Sequence, residues 1–256
     1  MLKRNRKFFQ ILSYLLAITG VFLIVSHFQN KKANNILSDI PSKSYDQIVE
    51  TKNLDSDTVP EQPFETISNP PLPEKFLLKA AFQSQAPYGD WSQPYQDGCE
   101  EASIIIAKHY LMGQTLSKTE MKQEIDDAVS WQVDNWGGHF DLNAEKTLQL
   151  ARDYFGIEGK IVRNYQIDDL KRYLSEGKPI IAPTAGRLLG NPNFTGAGPE
   201  YHMLVVVGYN NESEVFITND PGTRKGENYI YKYQTLLDAI SGPNINTQKE
   251  VLILYL

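Results

Sequence analysis

"HMLVVVGYNNESEVFITND", residues 202–220, holds two apolar runs of strand length separated by Asn-Asn-Glu-Ser, a turn-forming composition. The pattern predicts a β-hairpin. With Asn211 at its centre, residues equidistant from that position face each other, and His202 faces Asp220. Directly opposed side chains have Cβ atoms ~5 Å apart, so a carboxylate there can hold one imidazole nitrogen and aim the other. A slip of one residue would separate them, and Asn219 is an alternative partner for the ring.

Outward from the hairpin, PIIAPTA, NYIYKY and EVLILYL also read as strands, broken by a short helix near Tyr233 to Ile240. Upstream the period changes to that of helices. FLLKAAFQ (Phe76 to Gln83) is a short apolar run, and a helix is predicted from about Cys99 to Met112 with Ala102, Ile105, Ile106 and Tyr110 inward. Ser117-Lys-Thr-Glu120 is a capping box that opens a second helix running to about Val129. Asp141 or Asn143 caps a third, AEKTLQLARDYFG, and QIDDLKRYLSEGKP reads as a fourth. Helices first and strands later give an α+β class, with N-terminal helices packed on a C-terminal antiparallel sheet.

The stretch 8–25 is uncharged over 18 residues, which as a helix reaches about 27 Å, barely one membrane span. Four basic residues precede it and Lys31 and Lys32 follow, which leaves the N-terminus in the cytoplasm and the remainder outside. Residues 1–28 are therefore expected to be a retained anchor, or a signal segment if cleaved, which would release a secreted form. Residues 29–75 are polar and aperiodic and read as a flexible stalk, leaving residues 76–256 as one domain. Residues 1–32 carry six positive charges and no acidic residue. Removing those six from the net −6 leaves −12 on everything after Lys32. Such a body repels phosphate backbones, so nucleic acid is an unfavourable partner.

Cys99 is the single cysteine, which rules out an intramolecular disulfide and a cysteine-based zinc site. It stands where a polar loop becomes a helix, a place where unpaired N–H groups favour a thiolate. A thiolate needs a base. Of the four histidines, His27 lies at the membrane segment, His109 is about 15 Å along the same helix, and His139 is a loop residue. His202, with Asp220 beside it, supplies the base and orienting group that thiol catalysis requires. Gln93 could add a side-chain N–H beside the Cys99 backbone N–H to stabilise an oxyanion.

Gln93-x5-Cys99 at a helix start, followed by Tyr201-His202-Met203 on a strand and Asn219-Asp220-Pro221-Gly222, resembles the papain-like cysteine peptidases of the bacteriocin-processing, double-glycine leader type, in their stand-alone form. The resemblance covers about Phe76 to Leu256. It implies a papain-like fold and cleavage of a peptide bond through a thioester. Gln93 is then the oxyanion residue, Cys99 the nucleophile, His202 the base and Asp220 the third member, with no metal or cofactor. Glu100 and Glu101 stand where transporter-fused members have a glycine after the cysteine.

The expected function is a cysteine peptidase acting outside the cytoplasm on a peptide or protein substrate. The alternatives are a cell-wall peptide amidase and a non-catalytic peptide-binding module. The chain lacks a Gly-x4-Gly-Lys-Ser/Thr motif, and its glycine pairs lack a phosphate-cradle context, so no nucleotide site is assigned. Trp91 and Tyr201 are candidate substrate-binding aromatics, and the loop Gly186 to Tyr201 is a candidate wall over the cleft. His139 and Asp141 are metal-compatible in type but too few to bind a metal alone.

Overall fold

The computed structural model describes residues 31, 33–56, 71–242 and 249–256. The chain divides into Met1–Ile40 and Pro41–Leu256, and the sheet with its helices belongs to the second unit. The uncharged stretch 8–25 lies outside the described residues. Among those described, no helix is long and apolar enough to cross a membrane.

The class is α+β. The sheet, β1 Ser42–Lys43, β2 Lys75–Leu78, β3 Glu158–Arg163, β4 Ile180–Thr184, β5 His202–Asn210, β6 Val215–Asn219, β7 Tyr229–Lys232 and β8 Glu250–Tyr255, runs β1-β2-β5-β4-β8-β3, with β6 on β5 and β7 on β6. Every pairing is antiparallel except β1 with β2. β5 is the hub: it pairs with β4, β2 and β6 and is buried at every position, as a run of apolar residues covered on both faces must be. At Gly208 a Cβ would meet the Phe76 carbonyl oxygen at 2.5 Å, so only glycine lets β2 approach there.

The helices are α1 Tyr45–Ser56, α2 Cys99–Leu111, α3 Lys118–Trp136, α4 Ala144–Asp153, α5 Ile167–Ser175 and α6 Tyr233–Ile240. α3 opens on the expected capping box, Ser117 Oγ accepting from the Glu120 N–H and Glu120 from the Ser117 N–H, and runs seven residues past the expected Val129 to end on Gly137 in the left-handed region. Asn143, not Asp141, caps α4. α2 departs most from the sequence reading. An amphipathic helix with four inward positions was expected, but every residue except Lys108 is buried, as in a central helix enclosed on all sides.

Within the second unit, two further strands and one helix went unforeseen. β3 sits between α4 and α5, so helices and strands are not fully segregated, and its half-exposed edge gives only a weak alternating signal. Part of the stretch read as a polar stalk is ordered. β1 pairs with β2, Ile48 of α1 is buried against Gly177, and Tyr45 meets Tyr110 edge-on with ring centroids 6.0 Å apart. Single apolar residues spaced too far apart to show a period make these contacts.

The hairpin register also differs from the expectation. Asn210 faces Val215 and Tyr209 faces Phe216, so the turn is centred between Glu212 and Ser213. A bulge at Val207 then shifts the ladder, and Val206 faces Thr218 while Val205 faces Asn219. Continued by one residue, this register sets Asp220 opposite Leu204, diagonal to His202 and on the same face.

Candidate active site

The peptide ahead of α2 is held from several sides. Tyr95 donates its hydroxyl to Asp126 Oδ1 at 2.6 Å, tying a single 3-10 turn (Tyr95–Asp97) to α3. Gln85, 3 % exposed, donates its amide to the carbonyls of Tyr95 (3.0 Å) and Gln96 (3.1 Å). The same segment reaches the other half of the site, since the Gln85 N–H (3.0 Å) and the Ser84 hydroxyl (3.1 Å) both donate to the Pro221 carbonyl. Gln85 therefore couples the loop before Cys99 to the turn after Asp220. Sequence reasoning missed it because nothing local distinguishes a bracing glutamine.

Cys99 is the first residue of α2 and is buried. Its thiol donates to Glu100 Oε2 at 3.0 Å, and the Met203 N–H on β5 faces the sulfur. Burial, then the adjacent Glu100 and Glu101, push the thiol well above its ordinary range, with the Met203 N–H acting in the opposite direction. Met203 directly follows His202, so the backbone facing the sulfur adjoins the imidazole along one strand.

His202 is 2 % exposed. Its Nε2 lies 2.7 Å from Asp220 Oδ1, which leaves Nδ1 as the ring nitrogen not engaged by the carboxylate. Phe194 stands edge-on to the ring at 5.3 Å. Asp220 is fully buried and saturated: Oδ1 also accepts the Gly222 N–H (3.1 Å), and Oδ2 accepts the Tyr231 hydroxyl (2.7 Å) and the Asn191 amide (3.3 Å). Burial alone would raise its carboxyl, but His202, Tyr231 and Gly222 outweigh burial and hold it below the usual range. Asn191 and Phe194 come from the loop flagged as a wall. Tyr231 lies on β7, eleven residues from Asp220, with no motif linking them.

The other anticipated residues are dispersed. Gln93 is exposed and donates its amide to Asp97 Oδ2 at 2.5 Å. Trp91 is 38 % exposed on the loop surface. Tyr201 donates its hydroxyl to the Leu142 carbonyl at 2.6 Å, and burial first, then the nearby Glu100 and Cys99, drive its phenol far up. Asn219, the alternative partner of the imidazole, instead donates to the carbonyls of Ala80 (3.3 Å) and Ala81 (3.4 Å).

Glu100 and Glu101 are fully buried. Glu100 Oε1 accepts the Leu142 N–H at 2.7 Å; Glu101 Oε1 accepts from Gln132 at 2.6 Å and lies 3.4 Å from His139 Nε2. Among the described residues no group of three or more His, Cys, Asp or Glu is placed to hold a metal ion.

No curated protein matches the chain. Among solved structures it is similar to a C39-like peptidase from Bacillus anthracis, at 17 % identity and a TM-score of 0.49, over 72 % of this chain and 98 % of that one. It is also similar to xylellain, a cysteine protease from Xylella fastidiosa, at 15 % identity and a TM-score of 0.39, over 77 % of this chain and 94 % of that one. The model of the Peptidase_C39 like family matches residues 78–241, well over half of the sequence. The chain belongs to the C39-like peptidase family.

Proposed function

We propose that the protein is a cysteine peptidase in which Cys99 attacks a peptide carbonyl, His202 is the base and Asp220 orients it. One observation carries the reading: His202 Nε2 is held at 2.7 Å by the buried Asp220 carboxylate, and Met203, the next residue, faces the Cys99 sulfur with its N–H. The thiol proton passes to Nδ1, sulfur bonds to the carbonyl carbon, and the tetrahedral intermediate collapses as the imidazolium returns that proton to the leaving amine. Water then hydrolyses the thioester by the same base. The oxyanion meets the Cys99 N–H at the uncapped start of α2 and the Gln93 amide, released from Asp97 when substrate enters.

The uncharged stretch 8–25 and its flanking lysines and arginines support a membrane-tethered domain acting outside the cytoplasm, and the −12 charge after Lys32 supports neutral or basic peptides as substrates. A second reading, a non-catalytic peptide binder, is favoured by one observation: the resting thiol is protonated and bound to Glu100. Incubation of the wild type and Cys99→Ala with an unstructured protein, followed by sequencing of new termini, tests the peptidase. Cleavage lost in the variant supports it. Intact substrate with both overturns it, and release of stem peptides from purified cell wall alone assigns an amidase instead.

A further inference from the structure

Glu100 makes two contacts that part in kind once the thiol ionises. Oε1 faces a donor, the Leu142 N–H at 2.7 Å, whereas Oε2 faces the Cys99 sulfur at 3.0 Å. The side chain is fully buried, and among the described residues no cation pairs with it. Once the sulfur has lost its proton it can only accept hydrogen bonds, and an ionised carboxylate at 3.0 Å would oppose it charge against charge. A carboxylic acid suits both contacts: its carbonyl oxygen accepts from Leu142 and its hydroxyl donates to sulfur. We propose that Glu100 works as a neutral acid whose O–H stays hydrogen-bonded to the Cys99 sulfur after the imidazole has taken the thiol proton. The protons balance: Cys–SH, neutral His202 and Glu–COOH become Cys–S⁻ accepting from Glu–COOH, with His202 protonated at Nδ1.

Burial first, and Glu101 second, push the Glu100 carboxyl well above its ordinary range, which agrees with the neutral form. The titratable groups facing it are Cys99 and Glu101 on its own helix and Tyr201 from the loop before β5, while His139 and Asp141 act on the pair through Glu101. Glu100 thus extends the proposed peptidase site, on whose reading this role rests: the carboxyl beside the thiol becomes a donor to the thiolate, on top of the Met203 N–H that faces it. A charge-assisted hydrogen bond of this kind is among the stronger ones.

Cys99 is the single cysteine, so alkylation by iodoacetamide, followed by intact mass from about pH 5 to about pH 10, reports this sulfur alone without a peptide substrate. Glu100→Gln keeps one acceptor and one donor in the same shape. Its rate is expected to match the wild type within about threefold at neutral pH and to exceed it on the alkaline side, where the wild-type acid ionises. Glu100→Ala is expected to react about 10-fold to 100-fold more slowly at neutral pH, the loss of one charge-assisted donor. A Glu100→Gln rate tenfold above the wild type at neutral pH overturns the proposal, because the carboxylate is then ionised and suppressive. Identical profiles at all pH values also overturn it. The isosteric variant decides the matter if Glu100→Ala does not fold. His202→Ala separates the two readings: labelling as fast as the wild type sinks the thiol–imidazole pair itself, whereas slowed labelling with unaffected Glu100 variants sinks only the role of Glu100.

Discussion

His202 Nε2 lies 2.7 Å from Asp220 Oδ1, although the two residues are not opposite each other across the hairpin. In the register of the outer rungs, Asp220 would stand opposite Val205, three positions from His202 and on the other face of the sheet. The extra residue at Val207 changes the count by one and returns both side chains to the same face. The carboxylate then reaches the ring diagonally, steadied by Tyr231 and Asn191 behind it.

Asp220→Asn keeps the shape of the side chain but removes the charge that holds the ring. We expect kcat to fall by about 100-fold to 10,000-fold with KM little changed, as for other orienting carboxylates. Because its carboxyl is held below the usual 3.8, Asp220 contributes stability that is present above that pH and lost as the medium is acidified through the lower folded value. Acid unfolding followed by tryptophan fluorescence should show the variant losing less stability than the wild type over that interval.

Gly222 carries the imidazole on its bare α-carbon. A Cβ there would sit 2.6 Å from His202 Cε1 and 3.0 Å from Nε2, so Gly222→Ala must push the ring off Asp220. A displacement of this size costs on the order of 100-fold in kcat. Phe194 Cε1, 3.2 Å from the same point, must also give way by a few tenths of an ångström, and the melting temperature should drop by a few degrees. A variant with full activity would show that the ring does not need this position.

Gln93 is tied to Asp97 in the resting structure. If its amide turns to the oxyanion, Gln93→Ala lowers kcat by about 100-fold to 1,000-fold and leaves the alkylation rate of Cys99 unchanged. Equal losses in both measurements would mean that the substitution disturbs the loop instead.

A separate pH dependence belongs to α2. His109 Nε2 lies 2.6 Å from Glu124 Oε1, and Nδ1 lies 2.6 Å from the Thr115 carbonyl. Burial works against the charged ring, but the carboxylate and carbonyl outweigh it and raise the imidazole above 6.5. Its contribution is therefore fully present below about pH 6.5 and is lost as pH rises through the higher folded value. Urea unfolding at about pH 6 and pH 9 should give a smaller difference for His109→Gln than for the wild type.

Composition and local pattern determined a good deal of this protein. The change from helical to strand period gave the α+β class, Ser117 with Glu120 announced α3, and the single thiol at a helix start pointed to Cys99. These are short-range properties: a cap, a turn or a periodicity involves neighbours within about four residues, so one strand of text holds them. Only the tertiary structure decided the register at Val207, the brace from Gln85 to Pro221, and the enclosure of Asp220 by Asn191 and Tyr231. It also decided that Glu100 and Glu101 lie inside the domain, where sequence rules place such residues on a solvated first turn. Burial depends on what packs against a helix from far along the chain, and here β5 and the segment at Leu142 close over α2, turning two ordinary carboxylates into partners of the thiol and its surroundings.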